Sequence, residues 1–365
     1  MKVTFPHLGN AYLAAKALFD GLGIDCIIPP PGNKSALELG SLYSSEEMCL
    51  PFKIMIGNYI ECIKQGADTI ILVGSTGPCR FGEYCELQMN LMKKLGYNLD
   101  FIVIDSPADI GMKEFLNRVH KISCESKKSK KEKLKVLHYS YKIINLIDEI
   151  EKKVRWLSPY EINKGECKSL LNKCKLHALN CTSPEKMYLT LKSYKNKVSN
   201  IKIDKNKKPL KIAIIGEIYT IMEPFTNLYI EDKLMDFGVS TRRCLNCSWW
   251  IKDTLLSTIN LNSLSIRKAS KEYIPYYIGG HAKECIGEAI LAKENGLDGA
   301  IQIFPMGCMP EIVSKSILPT LSTDKDFPIL SLIVDEMTGE MGYLTRIEAY
   351  LDLLERRREN VLYGS

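Results

Sequence analysis

The sequence predicts an α/β fold of two similar parallel-sheet domains, 1–120 and 209–365, with a helical, lysine-rich connecting region, 121–208, between them. The first observation behind this is an internal repeat. GADTIILVGSTGPC, Gly66 to Cys79, aligns with GLDGAIQIFPMGC, Gly296 to Cys308, with one residue fewer in the second copy. Each copy follows a helix carrying a glycine at the same offset, Gly57 or Gly287, and precedes a helix and a strand ending in an acid, Asp105 or Asp335. Agreement over helix, glycine, strand and cysteine together is poorly explained by chance. The second observation is the run Thr69 to Val73, continuously apolar and closed by Gly74, which reads as a strand buried on both faces. The third is charge. Between Lys121 and Lys211 there are 24 Lys and Arg against 9 Asp and Glu, so a net charge of +6 conceals a basic middle and an acidic remainder.

Taken in order, Lys2 to Phe5 reads as a strand and Ala11 to Leu22 as an amphipathic helix closed by Gly23. Asp25 to Ile28 is a second short strand, stopped by three prolines. The segment GNKS, Gly32 to Ser35, lacks the glycines of a phosphate loop, so no ATP site is read there. A helix runs from about Ile54 to Gln65, and Cys49 lies just before it, where a helix dipole favours a thiolate. The repeat's strand, Thr69 to Val73, turns through Gly77 and Pro78 into Cys79 and Arg80. A helix from Cys85 to about Lys94 and a strand from Phe101 to Ile104 complete the first domain. Ser126 to Lys135 reads as a linker, helices follow to about Tyr194, and Lys192 to Lys211 marks the entry to the second domain. There Lys211 to Tyr219 is a strand and turn whose lone Gly216 makes no dinucleotide fingerprint.

Composition narrows the function classes. At 365 residues the chain has room for two cores. No apolar run is long enough to span a membrane, and MKVTFPHLGN lacks the order of a secretory signal, so a cytoplasmic, reducing location is expected. The basic middle is mostly lysine with few aromatics interleaved, the pattern of a solvated face, so no nucleic-acid partner is expected. Thirteen cysteines in such a compartment point to metal, redox or packing roles and not to disulfides.

The repeat singles out Cys79 and Cys308. Open α/β sheets bind ligands outside the carboxyl ends of their strands, and each of these cysteines follows such an end. A free cysteine is commonly a small buried hydrophobe, so position is what marks them out. Two packed units would face them into one crevice. Cys167, Cys174 and Cys181 recur at sevens, too spread for one metal, and read as packing on one helical face. Cys244 and Cys247 form a CxxC with no second pair, and read as packing. Several thiolates without an acid–base triad suit an iron–sulfur cluster assembled from distant segments, with zinc as the rival metal. Cys49, Cys79 and Cys308 are the candidate ligands, with Lys53 and Arg80 supplying positive charge beside them. Asp335, Glu336 and Glu340, at the end of the last strand, are expected to line the crevice.

PHLGN (Pro6 to Asn10), CLPFKIMIGN (Cys49 to Asn58), GADTIILVGSTGPCRFGEYC (Gly66 to Cys85), GGHAKE (Gly279 to Glu284), FPMGCMPE (Phe304 to Glu311) and DEMTGEMGYLTRIEA (Asp335 to Ala349) resemble the 2-hydroxyacyl-CoA dehydratase superfamily. More narrowly they resemble its stand-alone CoA-protein activase or activator-related subfamily. The resemblance implies two doubly wound, Rossmann-like domains and a [4Fe-4S] cluster with three cysteine ligands, which match Cys49, Cys79 and Cys308. It adds Cys85 and Cys285 as candidates, because some relatives hold a double-cubane cluster. It implies a dehydratase-like component or low-potential reductase that receives electrons from a separate ATP-hydrolysing activase protein, acts on an acyl-CoA or another small molecule, and assembles as a homodimer or heterodimer. The competing class is a non-catalytic electron-relay or scaffold partner of a larger enzyme. No activase ATP motif is present in this chain.

Overall fold

The computed structural model describes residues 1–74, 79–259 and 261–363. They divide into two compact units, one of Met1–Glu151, Ser169–Asn200 and Asn246–Asn262, the other of Lys152–Lys168, Ile201–Leu245 and Ser263–Ser365.

In the first unit, β1 (Lys2–Thr4), β2 (Asp25–Cys26), β3 (Thr69–Val73) and β4 (Asp100–Ile104) form a parallel sheet of order β2-β1-β3-β4. Parallel neighbours require long crossovers, and helices supply them. They are α1 (Ala11–Leu22), α2 (Lys34–Tyr43), α3 (Leu50–Lys64) and α4 (Tyr84–Lys94), with α5 (Pro107–Ile110) and α6 (Met112–Ser123) after the last strand. Helix α1 ends at Gly23 with φ 69°, where the absence of Cβ removes the left-handed penalty. Val3, Phe5, Phe19, Leu22, Ile24 and Val136 form one of its buried clusters.

Helix α2 is not among the elements expected from the sequence. Its start is marked by Asn33, whose side chain accepts from the Ala36 amide at 2.8 Å, so the polar GNKS segment is a helix cap. Helices α2 and α3 approach through glycines. A Cβ on Gly40 would stand 1.7 Å from the Lys53 carbonyl oxygen, and one on Gly57 1.8 Å from that of Ala36.

The connecting region folds as α7 (Lys130–Leu157), α8 (Glu166–Leu179) and α9 (Pro184–Ser199), and its residues are shared between the two units. The first expected linker is helical from Lys130 onward because Ser129 and Glu132 cap it reciprocally. The Ser129 amide donates to Glu132 Oε2 at 2.8 Å and the Glu132 amide to Ser129 Oγ at 3.3 Å. Helix α9 likewise runs on to Ser199, inside the second expected linker.

The second unit repeats the first. Strands β5 (Lys211–Gly216), β6 (Ser240–Arg243), β7 (Gly299–Pro305) and β8 (Ile329–Val334) are parallel in the order β6-β5-β7-β8. Its helices are α10 (Ile218–Met222), α11 (Ile230–Asp236), α13 (Leu264–Ser270), α14 (Ala282–Glu294), α15 (Met309–Asp324) and α16 (Glu340–Tyr363), while α12 (Cys247–Ser257) belongs to the first unit. Helices α13 and α14 mirror α2 and α3, for a Cβ on Gly287 would lie 2.7 Å from the Ile266 carbonyl oxygen. The aligned glycines therefore do the same job in both copies. Strands β3 and β4 end in register at Val73 and Ile104, and β7 and β8 at Pro305 and Val334. Each sheet thus delivers a cysteine segment and an acid at the same end. Among the described residues, no helix is long and apolar enough to cross a membrane.

Candidate metal centre

Cys49 and Cys308 share a local setting at helix starts that do not correspond in the repeat, since α3 precedes β3 whereas α15 follows β7. Each is the N-cap of a helix, α3 or α15, each has extended backbone (φ −69° and −72°), and neither side chain makes a capping hydrogen bond. Each is followed by an apolar residue and a proline, Leu50–Pro51 and Met309–Pro310. Proline at the second helical position loses no hydrogen bond there and presets the helical φ. A thiol at this point meets the positive end of the helix dipole, which favours its thiolate. This shared CxP pattern is legible in the sequence. Gly307, with φ 79°, makes the turn that brings Cys308 round from β7.

Cys79 is half-buried and precedes the 3₁₀ turn Arg80–Glu83, which runs directly into α4. The Gly82 amide donates to its carbonyl at 3.0 Å. Gly77 and Pro78 lie outside the described residues, as does the side chain of Arg80. In the same unit the Cys49 sulfur is hydrogen-bonded to the Tyr84 hydroxyl at the start of α4. The Tyr84 ring packs edge-on against Phe52, with centroids 5.0 Å apart. Lys53, one turn after Cys49, is 2 % exposed and its ammonium donates to the Glu46 carbonyl at 3.2 Å. The structure therefore buries a cation in the segment that carries Cys49.

Other thiols are held in their protonated form. Burial pushes Cys26 and Cys174 up to about 12, and Cys62, Cys167 and Cys285 upward as well. Cys85 rises to about 11 through burial and then Asp105, and its sulfur lies 3.7 Å from the Val73 carbonyl. Cys285 is fully buried in the apolar cluster around α14, and burial, followed by the nearby Glu311, pushes its thiol up. Cys244 rises to about 11 through burial and then Glu288. It belongs to the second unit and Cys247 to the first, where the Cys247 thiol donates to the Leu8 carbonyl at 3.5 Å. Cys167 and Cys174 are buried on α8, but Cys181 lies beyond the helix end and bonds the His177 carbonyl at 3.3 Å, so the three do not share one helical face.

The acids after the sheets have local partners. Asp335 accepts from the Met337 amide at 3.0 Å and from Thr338 Oγ1 at 2.7 Å, closing the turn before α16, and Glu340 is paired with Lys233 at 2.7 Å. Two of the three acids expected to line a crevice are thus a turn cap and a surface ion-pair partner. Asp105 is bonded to Arg118 on α6.

Sequence reasoning missed a buried polar group in the second unit. Gln302 lies in the middle of β7, fully buried among apolar neighbours. Its amide nitrogen donates to Glu311 Oε2 at 2.8 Å and to the Glu311 main-chain carbonyl at 3.2 Å, and its oxygen accepts from Ser331 Oγ on β8 at 2.7 Å. A glutamine inside the apolar strand GAIQIFP was the available signal.

Thiols at helix starts suit an iron–sulfur cluster or zinc by donor chemistry. Among the described residues, no three or more His, Cys, Asp or Glu side chains are gathered as a metal-holding group. Comparison with protein-family models found no match, and comparison with curated proteins found none.

Proposed function

We propose that this chain is an iron–sulfur protein in which Cys49, Cys79 and Cys308 are thiolate ligands of a [4Fe-4S] cluster. In this reading it is a low-potential reductase or dehydratase-like component, reduced by a separate ATP-hydrolysing activase and acting on an acyl-CoA or another small molecule that is hard to reduce. The observation that supports it is that Cys49 and Cys308 are each the N-cap of a helix in a CxP segment, while Cys79 and Cys308 follow corresponding strands, β3 and β7, in two units of the same strand order. Bound there, the cluster supplies single low-potential electrons and, with three protein ligands, keeps one iron open.

The chain's own contribution is to stabilise anionic sulfur. The N-terminal ends of α3 and α15 present positive potential to Cys49 and Cys308. The Tyr84 hydroxyl hydrogen-bonds the Cys49 sulfur, and hydrogen bonds to ligand sulfurs are a recognised means of setting cluster potential. Lys53 adds a buried cation to the same segment.

The test is purification under strict anaerobiosis, followed by iron and acid-labile sulfide counts and electron paramagnetic resonance of the reduced protein. About four irons and four sulfides per chain, with a reduced-cluster signal, is the expected result. A chain that binds zinc stoichiometrically and never iron overturns the reading. Turnover of a 2-hydroxyacyl-CoA with an added activase separates a catalytic component from an electron relay.

A further inference from the structure

Helices α6 and α7 each carry an apolar row that the fold leaves uncovered. On α7, burial of Val136, Ile143, Ile144 and Ile147 accounts for one side of the helix. Leu134, Leu137 and Tyr141, spaced i, i+3 and i+7, form a second row on the other side, and they are 67 %, 56 % and 42 % exposed. On α6 the row is Met112, Leu116 and Val119, spaced i, i+4 and i+7 and all exposed, and no residue of that helix is buried. The two rows lie in one unit. Ile122 of α6 and Val136 of α7 pack in the same apolar cluster as Phe19 and Leu22, and the Lys133 ammonium donates to the Ser123 carbonyl at 2.7 Å.

The same segment is strongly basic. From Met112 to Lys142 ten Lys and Arg stand against three Glu, and the one arginine, Arg118, is taken up by Asp105 and Glu114. Lys128 and Lys135 are paired with Glu132 and Glu185, at 3.9 and 3.0 Å. Lys127, Lys130 and Lys131, in the turn between the helices and at the start of α7, are exposed and stand outside any ion pair among the described residues. Composition alone makes such lysines a solvated face. The structure sets apolar rows among them.

Charge and apolarity together select the occupant. A protein interface is enriched in arginine and aromatic residues and depleted in lysine, the reverse of this face. A nucleic acid would engage the lysines through its phosphates and leave both apolar rows in water. A second copy presenting the same patch would set lysines against lysines. An anionic lipid surface meets both demands, because headgroups receive ammonium groups on flexible stems while Leu, Met, Val and Tyr side chains enter the acyl boundary. We propose that α6 and the first turns of α7 form a docking surface for an anionic lipid bilayer, with Lys127, Lys130 and Lys131 on headgroups and Leu134, Leu137 and Tyr141 inserted beside them. Rows of three side chains fall far short of the ~20 apolar residues of a span, so the contact lies along the surface and not across it.

The test sediments the full-length chain with vesicles of phosphatidylcholine alone and of phosphatidylcholine containing about 30 % phosphatidylserine, an anionic lipid that polybasic segments bind. Binding to the anionic vesicles only, weakening as salt is raised, is the expected result. Lys127→Gln, Lys130→Gln and Lys131→Gln together should weaken it on the order of a hundredfold, and Leu134→Ser with Leu137→Ser roughly tenfold. All five side chains are exposed, so the urea midpoints of both variants should match the wild type. Failure of the wild type to sediment with either vesicle overturns the inference, whatever the variants do. Binding that needs the lysines but survives loss of both leucines overturns it as well, as does equal affinity for poly-glutamate or a single-stranded oligonucleotide, the marks of a general polyanion patch. A wild-type dimer abolished by Leu134→Ser with Leu137→Ser would give the rows to a second copy and overturn it equally. Absence of iron from the purified protein would sink the proposed function and leave this assay intact.

Discussion

Gly57 and Ala36 meet at a separation that only glycine permits, since a Cβ on Gly57 would lie 1.8 Å from the Ala36 carbonyl oxygen. The reciprocal contact, Gly40 against the Lys53 carbonyl, falls one turn past Cys49 on α3. Close approach of α2 and α3 is therefore built into the segment that presents the thiol.

Because the obstructing atoms are backbone, neither helix can move aside cheaply. Gly57→Ala should destabilise the chain by about 3 kcal/mol, at the upper end of overpacking costs. Gly287→Ala should cost less, about 1–2 kcal/mol, because the backbone oxygen it meets, that of Ile266, stands at 2.7 Å and not 1.8 Å, so a smaller displacement relieves it. Urea unfolding midpoints at constant m-value measure both. Equal and negligible losses would mean that the two helix pairs are looser than described.

Gln302→Leu leaves the Glu311 carboxyl and Ser331 without their shared partner and should cost about 1–3 kcal/mol. The double variant Gln302→Leu with Glu311→Leu removes both ends of the bond and should recover a large part of that loss. A double-mutant cycle in urea reads the coupling, and strict additivity would show that the clamp contributes nothing.

Stability should vary with pH in two opposed limbs. Partly buried His281 is lowered to about 4 by desolvation, so below its ordinary value of 6.5 the unfolded chain binds more protons and stability falls as pH falls from 6.5 towards 4. Glu311 behaves oppositely. Its folded-state value near 8 exceeds the ordinary 4.5, so between those limits the folded chain holds the extra proton and stability falls as pH rises, by up to about 1.4 kcal/mol per pH unit. Unfolding curves between pH 6.5 and pH 8, above the His281 range, isolate the second limb, and Glu311→Gln should flatten it by about one proton. A slope unchanged in the variant refutes the assignment to Glu311.

Replacing Cys49, Cys79 or Cys308 with Ala should each remove most of the bound iron. Cys174→Ala should retain it, because that thiol is buried on α8 and kept protonated. Iron and sulfide counts on anaerobically purified variants compare the four chains. Full iron retention in any of the first three removes that residue from the ligand set.

The amino-acid sequence by itself determined the two-copy architecture. Apolar runs closed by glycine, the aligned Gly57 and Gly287, and cysteines and acids after the strand ends are local patterns, and local patterns specify strands, turns and helix starts without reference to distant residues. Both sheets accordingly share one strand order, and Cys49 and Cys308 stand at helix starts. The tertiary structure alone decided what each polar or thiol side chain meets. Gln302 is bonded to Glu311 nine residues on and to Ser331 twenty-nine residues on. Cys285 vanished into the core, Cys244 and Cys247 fell to different units, and Asp335 became a turn cap. Partners and burial of this kind depend on chain segments brought together only by packing, and they set whether a carboxyl or a thiol keeps its proton.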